Sequence, residues 1–364
     1  ALRAAMETLP PRSTQFRALQ DAGVREAFGE LAGALNQFSE AVEPLRQAAP
    51  GFDACHLRAG LNAARLQRWC AARDFDDEFE VADDDVRWYE LSPRGFRLQR
   101  TPLDVSAPLR AHREQSRAAW VFTSATLAVD ANFDHVSVRL GLDAPETLLV
   151  PSPFDWQRQA LCYMPPHMPE PAARDYGQAV VAALRPVLDA SQGRAFVLFA
   201  SHRALREAAA LLRESDASPW PLFVQGEAPR HVLLQQFRDS GNGVLLGAAS
   251  FREGVDVAGE ALSVVVIDKL PFAAPDDPVF EARLDAIRRS GGNPFRDEQL
   301  PQAVIALKQG VGRLIRTETD RGVLVLCDPR LIGKGYGRLF LDSLPPFSRT
   351  REIADVEAFF GGAG

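Results

Sequence analysis

Two arginines near the end of the chain are spaced for binding an anion. Arg313 and Arg316 lie in the segment Gln309-Gly-Val-Gly-Arg-Leu-Ile-Arg316, in a stretch with helical spacing after Pro301. Residues three apart on a helix share one face, so the two guanidinium groups can converge on one phosphate. Each glycine inside such a helix costs about 1 kcal/mol relative to alanine, which indicates a close approach by another group. A solvated basic helix face is the alternative.

A second candidate is the loop Gly247-Ala-Ala-Ser-Phe-Arg-Glu-Gly-Val-Asp-Val-Ala-Gly259, which directly follows a predicted strand. Glu253 and Asp256 offer carboxylates to ribose hydroxyls or to a cation, and Gly254 allows a tight turn. Ser250 and the loop amides are donors for phosphate oxygens. A simple turn is the alternative for this loop.

Ser124 and Thr126 place two hydroxyls at the end of the predicted strand Ala118–Thr123, where they can couple neighbouring loops. Taken alone, this tripeptide says little. No GxxxxGK[ST] motif occurs in the 364 residues, so they lack the loop that cradles a β-phosphate and the hydroxyl that holds magnesium. No acidic box of the DExH kind ends an apolar strand either. The sequence therefore contains half of a phosphate site.

Composition and charge exclude several classes of protein. With 41 basic and 48 acidic side chains, the formal net charge is −7, so any nucleic acid must bind in a local basic channel. No apolar run reaches the roughly 18–20 residues that span a bilayer. Cys55, Cys70, Cys162 and Cys327 form no close pair, which predicts no metal site from them and fits a reducing cytoplasm. The start of the chain, with neither Met nor signal peptide, is expected to lie inside a longer protein.

Helical spacing dominates the first part of the chain. We expect Pro50-Gly51 to end a first helix, and Leu57, Leu61 and Trp69 to lie on a second, so that residues 1 to about 73 form a helical hairpin. The acidic run Asp74–Asp85 is interpreted as a solvated linker. Apolar residues on the first helix follow a 4-3-4-3-4-3 spacing, which predicts an a/d seam over three heptads. They are Val24, Phe28, Leu31, Leu35, Phe38, Val42 and Leu45.

After residue 85 the period changes. Val86–Leu91 and Phe96–Gln99 flank Ser92-Pro-Arg-Gly95, which predicts a β-hairpin. Pro151-Ser-Pro-Phe154 is typical of a rigid extended connector, because proline restricts itself and the residue before it. We place a domain boundary at this connector.

From about residue 194 onward, apolar strands alternate with helical segments such as His202–Arg213. Nearly continuous apolar runs separated by helices indicate a parallel sheet covered on both faces. The predicted fold class is α/β, a doubly wound parallel sheet with its sites at the carboxyl ends of the strands. The predicted strands are Ala195–Ala200, Pro221–Val224, Gly243–Leu246, Leu262–Ile267 and Val323–Cys327.

In this order, the segments resemble the carboxy-terminal half of an XPD-like superfamily 2 DNA helicase, of the bacterial DinG/YoaA branch. The resemblance covers about residues 120 to 330 and is specific as a set, although each piece is short. Val121–Leu127 looks like motif III, Ser152-Pro-Phe154 like the connector before the second motor domain, and Leu198–His202 like motif IV. Ser250–Val257 looks like motif V, Lys269-Leu-Pro-Phe272 with Pro275 and Asp277-Pro278 like the hallmark of the branch, and Gln309–Arg316 like motif VI.

The resemblance implies an ATP-driven DNA helicase with 5′→3′ polarity. ATP and Mg²⁺ would bind between two RecA-like domains, with Arg316 as arginine finger, Arg313 beside it and Gln309 positioning it. The Walker loop, the acidic box and any iron–sulfur cysteines would precede residue 1, and no metal site is expected in this chain. The other implied roles are nucleotide contact for Glu253, Gly254 and Asp256, coupling for Ser124 and Thr126, and single-stranded DNA contact for Ser201, His202, Arg203, Ser250 and Arg252.

The resemblance also divides the chain. Residues 1–82 are expected to be a helical Arch-like segment, 83–150 the tail end of a first RecA-like motor domain with motif III, and 151–364 a second RecA-like motor domain with motifs IV to VI. A bacterial cytoplasmic location, associated with the nucleoid, is implied as well.

Alternatives to the helicase hypothesis remain at this point. A nucleotide-independent module could hold single strands or a protein partner on the same scaffold, if the Walker loop of the whole protein were degenerate. A metal-dependent nuclease would need more clustered carboxylates than Glu253 and Asp256. At the tail, Val356, Phe359 and Phe360 fit one helix face, which either docks a replication or repair protein or packs on the second domain. Packing is the favoured interpretation.

Overall fold

The computed structural model describes residues 1–71, 85–214, 219–248, 251, 262–273 and 277–362. They divide into two compact units. The first unit is Ala1–Ala118, Arg139–Leu142 and Ala273–Asp297, and the second unit is Ala119–Val138, Asp143–Phe272 and Glu298–Gly364. No helix in the described ranges is both long enough and apolar enough to cross a bilayer.

The helices are α1 (Leu2–Ala5), α2 (Gln15–Gln20), α3 (Ala22–Val42), α4 (Pro50–Cys70), α5 (Ser106–Gln115), α6 (Asp134–Leu140), α7 (Trp156–Gln159), α8 (Tyr176–Ser191), α9 (His202–Arg213), α10 (Arg230–Ser240), α11 (Pro278–Arg289), α12 (Leu300–Val311), α13 (Arg330–Gly333), α14 (Gly337–Ser343) and α15 (Ile353–Gly361). The strands are β1 (Arg12–Thr14), β2 (Asp85–Ser92), β3 (Gly95–Pro102), β4 (Ala160–Tyr163), β5 (Ala195–Phe199), β6 (Leu222–Val224), β7 (Val244–Ala248), β8 (Val264–Ile267), β9 (Gly322–Leu326) and β10 (Ser348–Thr350). Turns of 3₁₀ helix cover Met6–Thr8 and Glu43–Leu45, and a π-helical turn covers Phe295–Gln299.

The first unit packs the helical pair α3 and α4 against an antiparallel sheet of order β1-β2-β3. The predicted hairpin is confirmed as β2 and β3, paired from Asp85–Pro102 to Ser92–Gly95. Phe28 and Trp69 pack in the core with ring centroids 5.2 Å apart and planes tilted by 38°. The Trp69 indole N–H donates to the carbonyl of Gln99 on β3 at 3.1 Å. These contacts join the helices to the sheet.

The predicted seam on α3 is wrong at two of its positions, although Val42 between them is buried. Phe38 is 49% exposed, and Leu45 lies beyond the helix in a 3₁₀ turn. The reason is the polar surface that α4 presents there: the Ser39 hydroxyl lies 3.1 Å from the His56 ring nitrogen Nδ1, where an apolar seam would need apolar partners. The prediction for Pro50 is also wrong, because α3 ends at Val42 and Pro50 stands in the first turn of α4, a position that proline favours.

The second unit contains a seven-stranded sheet of order β10-β4-β9-β8-β5-β7-β6, in which every strand pair is parallel. Successive residues of a strand point to opposite faces, and on β5 Phe196 and Leu198 enter one apolar cluster while Val197 and Phe199 enter another. The doubly wound α/β prediction is therefore confirmed. Strands β4 and β10 were not predicted from the sequence.

The predicted strand Ala118–Thr123 is absent from the described structure, and this prediction is wrong. Trp120 is 45% exposed and Val121 is 84% exposed, with no described strand paired to this segment. An extended apolar segment becomes a strand only where a neighbouring backbone pairs with it.

The tail helix α15 packs on α8. Val356 is fully buried, and Phe359 and Phe360 lie partly buried against the same cluster. The guanidinium of Arg321 lies 4.7 Å from the centroid of the Phe359 ring. The packing interpretation of the tail is confirmed.

Candidate functional site

The carboxyl edge of the parallel sheet carries one group of candidate residues. β5 ends at Phe199, and Ser201, His202 and Arg203 follow directly, where α9 begins. The Ser201 hydroxyl accepts the backbone N–H of Ala204 at 3.1 Å and so caps the helix. The side chains of all three candidates are exposed to solvent. What they bind stays a prediction.

The next strand at this edge, β7, ends at Ala248. The candidates that follow it, Ser250, Arg252, Glu253, Gly254 and Asp256, lie outside the described residues.

Phe251 belongs to the described residues and shows why this loop starts with glycine. The Phe251 side chain is buried, and a Cβ atom at Gly247 would lie 2.7 Å from the Cβ of Phe251. Gly247 therefore allows the phenylalanine to pack directly on β7.

A buried polar cluster that sequence reasoning missed lies at the same edge. Asp268 directly follows β8 and is 2% exposed. One oxygen of its carboxylate accepts the backbone N–H of Ala200 at 2.8 Å and that of Lys269 at 2.6 Å. Burial raises the pKa of Asp268 to about 7, although these hydrogen bonds act in the opposite direction. The carboxylate thus connects β8 to the residue that precedes Ser201.

Asp328 lies two residues after the end of β9. Its carboxylate accepts the backbone N–H of Leu270 at 2.8 Å and pairs with the Arg330 guanidinium at 2.6 Å. The Tyr176 hydroxyl at the start of α8 donates to the main-chain carbonyl of Asp268. An acidic residue directly after a continuous apolar run of the sequence was the available signal, and it occurs at both positions.

Arg313 and Arg316 do not lie on a helix. α12 ends at Val311, Arg313 lies in the following turn, and Arg316 lies in an irregular segment beyond it. The prediction that they share a helix face is therefore wrong. Gly312 caps the helix as a poor helix former, and Leu314 and Ile315 are drawn into the core at 2% and 3% exposure.

The location of these arginines also differs from the expected one. The connection that carries Arg313 and Arg316 leads into the amino end of β9, not away from a carboxyl end. The side-chain amide of Gln159, just before β4, lies 3.0 Å from the Asp320 carbonyl oxygen and 3.1 Å from that of Thr317. The segment is therefore fixed at the amino edge of the sheet.

The backbone around Arg316 is held by a carboxylate. Asp320 accepts the N–H of Arg316 at 2.8 Å and that of Thr317 at 2.9 Å. Burial lowers the pKa of the Arg316 guanidinium, and the charge of Asp320 opposes that change. Despite this lower pKa, the guanidinium stays cationic at neutral pH.

Ser124 and Thr126 lie in the second unit. Their hydroxyl oxygens are 3.3 Å apart, and the N–H of Thr126 donates to the Ser124 hydroxyl at 3.2 Å. Two residues further on, the carbonyl of Ala128 accepts from the ammonium of Lys308, which precedes Gln309 on α12. Gln309 itself is half-buried. The structure thus brings the hydroxyl segment to the helix that carries Gln309.

Within the described ranges, no group of three or more histidine, cysteine, aspartate or glutamate side chains is arranged to hold a metal ion. Cys162 and Cys327 are buried, and burial raises the pKa of both thiols.

Comparison with known proteins adds three findings. Residues 184–347 match the family model of a helicase C-terminal domain. The chain is 48% identical over 272 residues to the ATP-dependent DNA helicase YoaA of Escherichia coli, an alignment that covers 75% of this chain and 42% of that protein. It is 37% identical over 280 residues to the ATP-dependent DNA helicase DinG of Photobacterium profundum, covering 74% of this chain and 40% of that protein. The chain thus spans less than half the length of these relatives.

The likeness extends to solved structures. The structure of XPD in its apo form matches with a TM-score of 0.58 at 15% identity, covering 87% of this chain and 61% of that one. At this identity the likeness concerns the fold.

Proposed function

Because the chain belongs to the XPD-like superfamily 2 helicases of the DinG/YoaA branch, we propose that it supplies the second motor domain of an ATP-dependent 5′→3′ DNA helicase. One observation carries the proposal: the second unit has candidate residues at two opposite ends of the strands of one parallel sheet, exposed at one end and half-buried at the other. His202 and Arg203 follow β5 at the carboxyl edge, and Arg313 and Arg316 precede β9 at the amino edge. Two separated groups suit a domain that contacts both a DNA strand and a nucleotide.

At the amino edge, Arg316 is proposed as the arginine finger. Its guanidinium would stabilise the negative charge that develops on the γ-phosphoryl group, a contribution of about 10³–10⁵ in rate. Two contacts of its neighbours support this role: the Asp320 carboxylate holds the Arg316 N–H, and Gln159 holds the carbonyl of Thr317. A backbone held in advance reduces the entropy that is lost when the guanidinium engages the transition state. Arg313 would contribute a second charge, and Gln309 would orient the pair.

The rest of the nucleotide site would come from two sources. Glu253, Gly254 and Asp256 are proposed to contact the nucleotide, with Asp256 accepting from the ribose. The phosphate cradle and the groups that hold Mg²⁺ would belong to parts of the complete protein beyond these 364 residues, and any iron–sulfur cluster likewise. Ser124 and Thr126 would relay closure of the nucleotide site to the DNA.

At the carboxyl edge, Ser201, His202, Arg203, Ser250 and Arg252 are proposed to contact single-stranded DNA. Such contacts go mostly to phosphates and are independent of sequence. The net charge of −7 restricts DNA to a local groove.

The proposed domain organisation is that of the resemblance: an Arch-like segment at 1–82, the end of motor domain 1 at 83–150 and motor domain 2 at 151–364. The proposed location is the bacterial cytoplasm, at the nucleoid. A replication or repair protein remains a proposed partner of the complete protein, although the apolar face of the tail is covered by α8.

The test compares the complete natural protein containing these residues with the 364-residue chain. We expect the complete protein to hydrolyse ATP faster with single-stranded DNA and to displace a strand from a 5′-tailed duplex but not from a 3′-tailed one. The chain alone should do neither, because its sequence lacks the phosphate cradle. DNA binding by the complete protein without ATP hydrolysis would favour a nucleotide-independent binding module instead.

A further inference from the structure

A half-buried lysine joins two segments of the second unit that are far apart in sequence. The ammonium of Lys308 donates to the main-chain carbonyl of Ala128 at 2.9 Å, across 180 residues. Ala128 is 5% exposed and lies two residues after Thr126. Lys308 lies one residue before Gln309 on α12. This bond therefore connects the hydroxyl segment to the helix that leads to the arginines.

The acceptor is held by a tight turn. Val129 and Asn132 exchange backbone hydrogen bonds of 3.0 and 2.9 Å, and the residues between them, Asp130 and Ala131, have φ angles of 49° and 59°. Two consecutive positive φ values are the pattern of a type I′ turn. Non-glycine residues keep such a conformation only where the surroundings enforce it, and Val129 packs against the core. The Ala128 carbonyl is thus presented in a fixed direction.

Lysine is rare in this chain, which otherwise uses arginine as its basic residue. Of the 41 lysine and arginine side chains, only Lys269, Lys308 and Lys334 are lysines. Lys269 and Lys308 are both half-buried, and each donates to a main-chain carbonyl distant in sequence. A single carbonyl suits a compact ammonium better than the planar fork of a guanidinium. Burial lowers the pKa of the Lys308 ammonium, as expected for a charged group partly withdrawn from water.

We propose that Lys308 is a positioning residue that makes the Ser124 and Thr126 segment move together with α12. This role rests on the proposed function, in which Arg316 responds to the nucleotide and the two hydroxyls relay that response to DNA. Without the ammonium, the segment would keep its turn but lose its bond to the helix. The coupling between ATP hydrolysis and DNA would then weaken, although the nucleotide contacts remain.

A first experiment tests the bond itself on the 364-residue chain. Hydrogen exchange of peptides covering residues 124–134 is measured for wild type, Lys308→Met and the matched control Lys334→Met, whose lysine is exposed. Loss of a hydrogen bond from a charged donor should speed exchange in the Lys308→Met peptides by about fivefold or more. Lys334→Met should exchange like wild type, and Lys308→Arg should restore part of the protection. Unchanged exchange in Lys308→Met would overturn the proposed bond.

A second experiment tests coupling in the complete natural protein. Lys308→Met should lower the DNA-stimulated kcat about tenfold while the KM for ATP stays within about twofold, and Lys308→Arg should recover part of kcat. Faster exchange with undiminished DNA stimulation would overturn the coupling role. Absence of DNA-stimulated hydrolysis in the wild type would overturn the proposed function, and the coupling role with it, whereas the exchange result would still report on the bond.

Discussion

Replacing Asp268 by asparagine should stabilise the second unit at pH 8 and change little at pH 5. The side chain is 2% exposed, and an amide has the same shape and keeps an oxygen for the N–H groups of Ala200 and Lys269. The charged groups around this carboxyl are Lys269, Asp328 and Arg330, beside the hydroxyl of Tyr176 and the thiol of Cys327. The substitution therefore removes one buried charge and little packing.

The magnitude follows from the pKa of this carboxyl. Burial raises it to about 7 in the folded protein, from 3.8 in the unfolded chain. As the pH rises, the unfolded chain loses the proton near pH 4 and the folded protein near pH 7, so the free energy of unfolding falls across that window. About three pKa units correspond to roughly 4 kcal/mol. Asparagine avoids this fall but makes weaker hydrogen bonds, so we expect a gain of about 2–4 kcal/mol at pH 8.

Hydrogen exchange of the most protected amides of β5 and β8 measures the free energy of unfolding of this unit at both pH values. The matched control is Asp342→Asn, whose carboxylate is 50% exposed and should respond little. The reasoning is refuted if Asp268→Asn is no more stable than wild type at pH 8. It is refuted equally if the wild-type free energy does not fall between pH 5 and pH 8.

Three further predictions concern other parts of the second unit. In the complete natural protein, Arg316→Ala should lower ATP turnover by about 10²-fold or more, with a smaller effect on ATP affinity. Arg316→Lys should recover little of this turnover, because lysine lacks the planar fork of the guanidinium. Turnover of Arg316→Ala within a few-fold of wild type would exclude the finger role. Arg203→Ala should weaken binding of single-stranded DNA and flatten the slope of log affinity against log salt by roughly 0.7 if the arginine contacts one phosphate, whereas unchanged binding would place the DNA elsewhere. Gly322→Ala should destabilise the unit by about 1–3 kcal/mol, because the added Cβ would lie 2.5 Å from Leu314 and 2.6 Å from the Ser263 carbonyl. Thermal unfolding measures this change. The control is Gly333→Ala, whose added Cβ would have no other atom within 4 Å.

The parallel sheet could be predicted because its strands are buried on both faces. Strands such as β5 and β8 are almost purely apolar, and such runs are read directly from sequence. β10 could not be found this way, because Ser348–Thr350 is polar and lies at the sheet edge, where a strand is defined by the backbone beside it. The segment Ala118–Thr123 shows the converse, since apolar composition alone does not make a strand.

The candidate site was predictable in residue type but not in backbone conformation. Arg313 and Arg316 have the helical spacing that suggests a shared face, yet Gly312 ends the helix before either of them. The contacts that fix the arginine segment come from Gln159 and Asp320, which carry no motif. Asp268 was overlooked because a single acidic residue after a strand gains its meaning only when the N–H groups of two loops converge on it.

The strand order of the large sheet determines when this unit can be completed during synthesis. β4 lies between β9 and β10, which the ribosome makes about 160 to 190 residues later. At roughly 5–20 residues per second, β4 waits for tens of seconds or less with both edges unpaired while β5 to β8 are made. Truncation before β9 would leave this buried apolar strand without either neighbour, so shortened chains should aggregate.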